Sequence, residues 1–63
     1  MVEKSVFLVR RAEKIAHVDM LEGAIEKRRI AGNYRAVEKL EKFWFRAVET
    51  LESYEEEHKW YLK

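Results

Sequence analysis

The chain has no cysteine, no proline and no glutamine, and only two glycines among 63 residues. Without cysteine there is neither a disulfide framework nor a thiolate metal site. The missing proline and scarce glycine exclude a collagen-like chain, a proline-rich linker and a turn-rich β-protein. No stretch approaches the roughly 18 apolar residues of a membrane span. Val6-Phe7-Leu8-Val9 is too short for the apolar core of a signal peptide, and Arg10-Arg11 follows it instead of preceding it. The expectation is a soluble, cytoplasmic chain. An excess of one charge is also missing. Thirteen basic and 12 acidic side chains leave a net charge of +1, so neither nucleic acid nor an acidic membrane is implied as an obligatory partner.

Charged residues make up 40% of the chain and hydrophobic ones 48%, the composition of a globular or long-helix protein. Abundant Glu, Lys and Arg without glutamine is the bias of hyperthermophile proteins. Residues 1–63 form one domain at most. A chain this short buries only about 60% of the surface its unfolded form exposes, so its core is thin.

The one strong punctuation mark is Ala31-Gly32-Asn33. Gly32 suits the left-handed position just past a helix end, and Asn33 suits the N-cap of the next helix. Lys27, Arg28 and Arg29 fall in the last turns before it, where cations favour a helix C-terminus. The pattern predicts an all-α fold, a two-helix antiparallel hairpin with helices at about 5–30 and 34–61 and a turn at 31–33. In the second helix Val37, Leu40, Trp44, Ala47, Leu51, Tyr54, His58 and Tyr61 recur at steps of three and four, an uninterrupted seam. The first helix is less regular. Leu8, Ala12, Ile15, Val18, Leu21 and Ile25 form its face, with Phe7, Val9, Ala16, Met20 and Ala24 widening it, and Gly23 interrupts it. The hairpin would place Arg10, Arg11 and Lys14 near Glu52, Glu55 and Glu56. Val6–Val9 can also be read as extended, or as a frayed arm.

Little in the chain supports chemistry. The hydroxyls are Ser5, Thr50 and Ser53, and the only neutral-pH bases are His17 and His58; Ser53 and His58 face different ways on a helix. No enzyme and no cofactor is expected. Glu55-x-x-His58 has the spacing of carboxylate-bridged bundles, and Glu13 and His17 are one turn apart, but such a site needs four inward carboxylates. Glu52, Glu55, Glu56 and Glu57 are more simply a solvated face, so no metal is expected. The basic groups Arg10, Arg11 and Lys14, and Lys27, Arg28, Arg29 and Arg35, are opposed by five acidic residues in Glu49–Glu57. They read as helix-end and pairing charges, not as a phosphate-binding stripe.

The informative segment is Leu40-Glu41-Lys42-Phe43-Trp44-Phe45. Successive helical residues turn by about 100°, so three consecutive aromatics cannot share one seam. Trp44 belongs to the seam, Phe43 and Phe45 flank it, and Val48 extends the Phe45 side. A hairpin covers one face only, so a large aromatic stays exposed in a monomer, and exposed aromatic surface marks a contact site. Trp60 and Tyr61 form a second aromatic group that closes the bundle or makes a further contact.

Leu40-x-x-Phe43-Trp44 resembles the core of the PIP box, the peptide with which proteins bind the DNA sliding clamp. That box has a glutamine, an aliphatic residue three positions later, and two adjacent aromatics three positions beyond. Positions i, i+3 and i+4 project from one helical turn as a three-pronged hydrophobic plug. Leu40, Phe43 and Trp44 match the prongs; Val37 stands at the glutamine position and cannot make its hydrogen bonds. Together with the small size, the composition and the mid-helix position of the plug, this resembles the small archaeal inhibitors of the clamp, PCNA, found in Thermococcales. The resemblance implies a non-enzymatic protein that binds PCNA, blocks its partners and opposes ring assembly. It implies contact through Leu40, Phe43 and Trp44. Val37 and Phe45 beside them complete the expected contact surface, Lys39, Lys42 and Arg46 line the same stretch and are expected to meet an acidic clamp surface, and no direct nucleic acid or membrane partner is expected.

Leu40 and Trp44 also lie on the seam that a hairpin buries. The expectation is therefore a free chain that is loosely packed or partly disordered, ordered around the plug on binding. Such coupled folding costs several kcal/mol, against roughly 1.5–3 kcal/mol for burying each plug side chain. The other function left open is a helical-hairpin homo-oligomer serving as a structural or adaptor module, which would sediment as a discrete dimer or tetramer. A nucleic-acid accessory role would demand a steep salt dependence that a +1 chain does not favour.

Overall fold

A computed structural model describes residues 3–62. Helix α1 runs over Lys4–Ile30 and helix α2 over Tyr34–Glu57, followed by a 3-10 turn at Lys59–Leu62. The two helices pack side by side in a rod of 45 × 16 × 15 Å. Val6–Val9 belongs to α1, so the extended and frayed readings of that segment do not hold.

The turn forms as its residues dictate. Gly32 has φ +75°, a conformation that costs a side-chain-bearing residue about 1–2 kcal/mol. The Asn33 N–H donates to the Arg28 carbonyl at 2.9 Å and the Gly32 N–H to the Arg29 carbonyl at 3.0 Å. This pair of bonds is the Schellman closure, which satisfies carbonyls left open at a helix end. The Asn33 side chain then accepts from the Ala36 N–H at 3.3 Å and caps α2. Lys27, Arg28 and Arg29 occupy the last turn of α1, beside the negative end of its dipole.

The α2 seam lies where its spacing put it: Val37 is buried, and Leu40, Trp44, Ala47, Leu51, Tyr54, His58 and Tyr61 are all half-buried. The α1 seam differs from the sequence reading at its amino-terminal end. Phe7 is fully buried at 0% exposure, whereas Leu8 is 46% exposed and Ala12 is exposed. The face runs Phe7, Arg11, Lys14, Val18, Leu21, Ile25, at regular steps of four and three. Two of its positions carry cations, and a reading that follows only apolar residues steps over them. The Arg11 Nε donates to Glu55 Oε2 at 2.7 Å, and the Lys14 Nζ sits 4.8 Å above the centre of the Tyr54 ring. Both cations lay their aliphatic stems along the seam and keep their charges at its edge.

α2 stops at Glu57, short of the expected 61. His58 leaves helical geometry at φ −122°, ψ 26°, and the chain tightens so that the Tyr61 N–H donates to the His58 carbonyl at 3.0 Å. A terminal 3-10 turn is a common way to end a helix. Here it brings Tyr61 to 5.1 Å from Phe7, ring centre to ring centre.

Both helices are continuous, and the core between them is thin. Among the described residues the buried hydrophobic side chains are Phe7, Val18, Leu21, Ile25 and Val37. Among the described residues no helix is long and apolar enough to cross a membrane.

Candidate protein-interaction site

The aromatic residues divide into two groups that behave differently. At the end of the rod remote from the turn, Phe7 stacks on Tyr54 at 5.3 Å and 9° and tilts against His58 at 5.5 Å. Tyr54 and His58 lie 4.5 Å apart. The ring Nδ1 of His58 lies 3.0 Å from the Tyr54 carbonyl oxygen. A carbonyl only accepts, so Nδ1 carries the hydrogen in this bond. With Glu55 held by Arg11, both members of the Glu55-x-x-His58 pair are engaged in joining the helices. Among the described residues no group of three His, Asp or Glu side chains is placed to hold a metal ion. Ser53 and His17 are exposed.

The second group is the mid-helix segment. Phe43 is 56% exposed and Phe45 is 59% exposed. Being two residues apart, they diverge by about 160° around the helix. Each lies at a different edge of the hairpin. Phe43 shares a crevice with Glu13, His17 and Ala47 and is ringed by Lys39, Lys42 and Arg46. Those three cations are exposed, and among the described residues none of them forms an ion pair.

Phe45 leans on Trp44 edge to face at 5.1 Å and 72°. With Ile25 these two rings floor a hollow of about 410 Å³, rimmed by Glu22, Glu26, Glu41 and Arg29. The Trp44 Nε1–H donates to Glu22 Oε1 at 3.1 Å. Arg29 stands 3.6 Å from Glu26 and 3.9 Å from Glu41.

The structure thus sorts the expected contact residues into three kinds. Phe43, Phe45, Lys39, Lys42 and Arg46 are at the surface, ready to touch a partner. Leu40 and Trp44 are half-buried at the edge of the seam. Val37, at 7% exposure, is core; it opens the α2 seam that α1 covers, and that takes it out of the candidate surface. The hollow beside Phe45 was not foreseen, because its walls come from both helices and only the register of the hairpin brings Ile25 and Glu22 to Trp44. No protein-family model, curated protein or solved structure matches this chain.

Proposed function

We propose that this chain is a non-catalytic binding protein that inhibits the DNA sliding clamp, PCNA, by inserting the turn Leu40-Phe43-Trp44 as a hydrophobic plug. The observation that carries the reading is Phe43. A phenyl ring more than half exposed at the centre of three unpaired cations is costly to leave in water and suited to an apolar socket with an acidic rim. Leu40 and Trp44 stand beside it on the same turn, each half-covered by α1.

Full insertion requires α1 to slide or lift from this part of α2. The seam here is closed by the buried Val18, Leu21 and Ile25 of α1, whose cover the clamp socket must replace, and by a hydrogen bond from Trp44 to an exposed carboxylate, Glu22. A solvent-exposed hydrogen bond contributes only about 0.5–1.5 kcal/mol net, so a socket that accepts the indole can replace it. The aromatic end at Phe7, Tyr54 and His58 can stay closed meanwhile, which keeps the two helices joined while the middle opens.

Retention on immobilised PCNA tests the reading. The wild-type chain is retained, and L40A/F43A/W44A is not. Because that triple variant also removes seam contacts, F43A alone is the cleaner probe. Its helicity should match the wild type while its affinity falls by at least about 30-fold, the loss expected of a hot-spot side chain worth 2 kcal/mol. Wild-type passage through the column without retention, or F43A binding as tightly as wild type, rejects the proposal.

A further inference from the structure

Each edge of the hairpin carries an exposed phenylalanine, and the two edges have opposite charge. On one, Phe43 rises from Lys39, Lys42 and Arg46. On the other lies the hollow floored by Ile25, Trp44 and Phe45, where three carboxylates, Glu22, Glu26 and Glu41, outnumber the single Arg29. The exposed Glu38 and Glu52 extend the acidic edge along α2, since residues 38, 41, 45 and 52 fall on one side of a helix. The hollow is an open apolar floor with an acidic rim. Its chemical complement is an aromatic ring collared by cations, and the same chain displays one.

We infer that the occupant of this hollow is Phe43 of a second copy, so that the chain assembles edge to edge through a contact between two different surfaces. The phenyl ring lies on Trp44 and Phe45, where edge-to-face contact is favoured, and Lys39, Lys42 and Arg46 face Glu22, Glu26 and Glu41. Nothing in the overall charge opposes it: at +1 the copies barely repel one another, and chains near zero net charge tend to associate. Knob and hollow lie at opposite edges, so the contact cannot close on itself in a pair. Every added copy presents a fresh knob and a fresh hollow, which gives open chains or rings whose size rises with concentration. This sharpens the homo-oligomer reading of the sequence, replacing a closed dimer or tetramer with an open series. It does not depend on the clamp. In such a series every Phe43 but one is covered until another partner takes it.

Sedimentation of the full chain at low salt tests this with two edge variants. K39A/K42A/R46A keeps the hollow and removes the collar; E26K/E41K keeps the collar and spoils the rim, and leaves the Trp44–Glu22 bond and the plug turn untouched. The wild type should gain mass with concentration beyond two copies, and lose it as salt screens the edges. Each variant alone should stay at the single-chain mass of 7.7 kDa. An equimolar mixture should form pairs and stop there, since one good collar meets one good hollow. Adding F43A to the E26K/E41K chain should abolish the pairs, whereas adding it to the K39A/K42A/R46A chain should not; simple attraction between oppositely charged chains predicts no such asymmetry. A wild type that stays monomeric at every concentration, a closed dimer, or an F43A effect equal in both variants overturns the inference. PCNA retention of the E26K/E41K chain reports separately on the clamp reading, because that variant keeps the plug.

Discussion

Six of the chain's eight aromatic residues and one histidine are shared between two regions that use them in opposite ways. At the open end, Phe7, Tyr54, His58 and Tyr61 turn toward one another and bring the two helices together. In the middle of α2, Phe43, Trp44 and Phe45 spread around the helix, and the outer two stand in water. Residue type is nearly the same in both places; spacing is what differs. Steps of four and three, from 54 to 58 to 61, return side chains to one face, whereas steps of one send them around it. The first arrangement makes a core. The second makes a surface with more aromatic area than a two-helix fold can cover.

The comparison breaks most visibly at Phe7. Phe7→Ala removes the only fully buried side chain among the described residues and should cost about 3–5 kcal/mol, enough to abolish a cooperative thermal transition; a shallow change would show that the open end contributes little to stability. A smaller effect of opposite sign is expected at Tyr54. Its hydroxyl is buried without a hydrogen-bond partner among the described residues, and a buried unsatisfied polar atom costs about 1–3 kcal/mol. Tyr54→Phe keeps the ring stack and should raise the midpoint of urea unfolding by the equivalent of about 1 kcal/mol.

Gly23 offers a third test, away from both regions. A methyl group there meets nothing within 4 Å, so Gly23→Ala should stabilise α1 by about 0.8–1 kcal/mol, measured as a higher melting temperature. The smallest effect belongs to the middle of α2. Phe43→Ala and Phe45→Ala should each change stability by no more than about 0.5 kcal/mol. Equal losses at Phe43 and Phe7 would erase the distinction between the two regions.

Much of this was legible from the residues. The turn followed from Gly32 and Asn33, whose conformational preferences are strong and local. The α2 seam followed from a run in which every third or fourth residue is apolar or aromatic. The α1 seam was read one residue late at its start, because Arg11 and Lys14 hold seam positions and only their partners, Glu55 and Tyr54, make that favourable. Those partners lie 44 and 40 residues further along the chain, beyond the reach of periodicity. The same limit hid the hollow: Phe43 and Phe45 could be seen to diverge, but not that Ile25 and three carboxylates stand beside one of them.

On the proposed function, the mid-helix turn serves another protein's cavity more than this chain's interior. The chain has two tryptophans, Trp44 and Trp60, and Trp60→Phe leaves Trp44 as the sole reporter while keeping a ring at the chain end. Acrylamide quenching of that variant's fluorescence, with and without PCNA, follows the plug itself. Trp44 should be open to quencher in the free chain and shielded when the clamp is added. Quenching that PCNA leaves unchanged would contradict it.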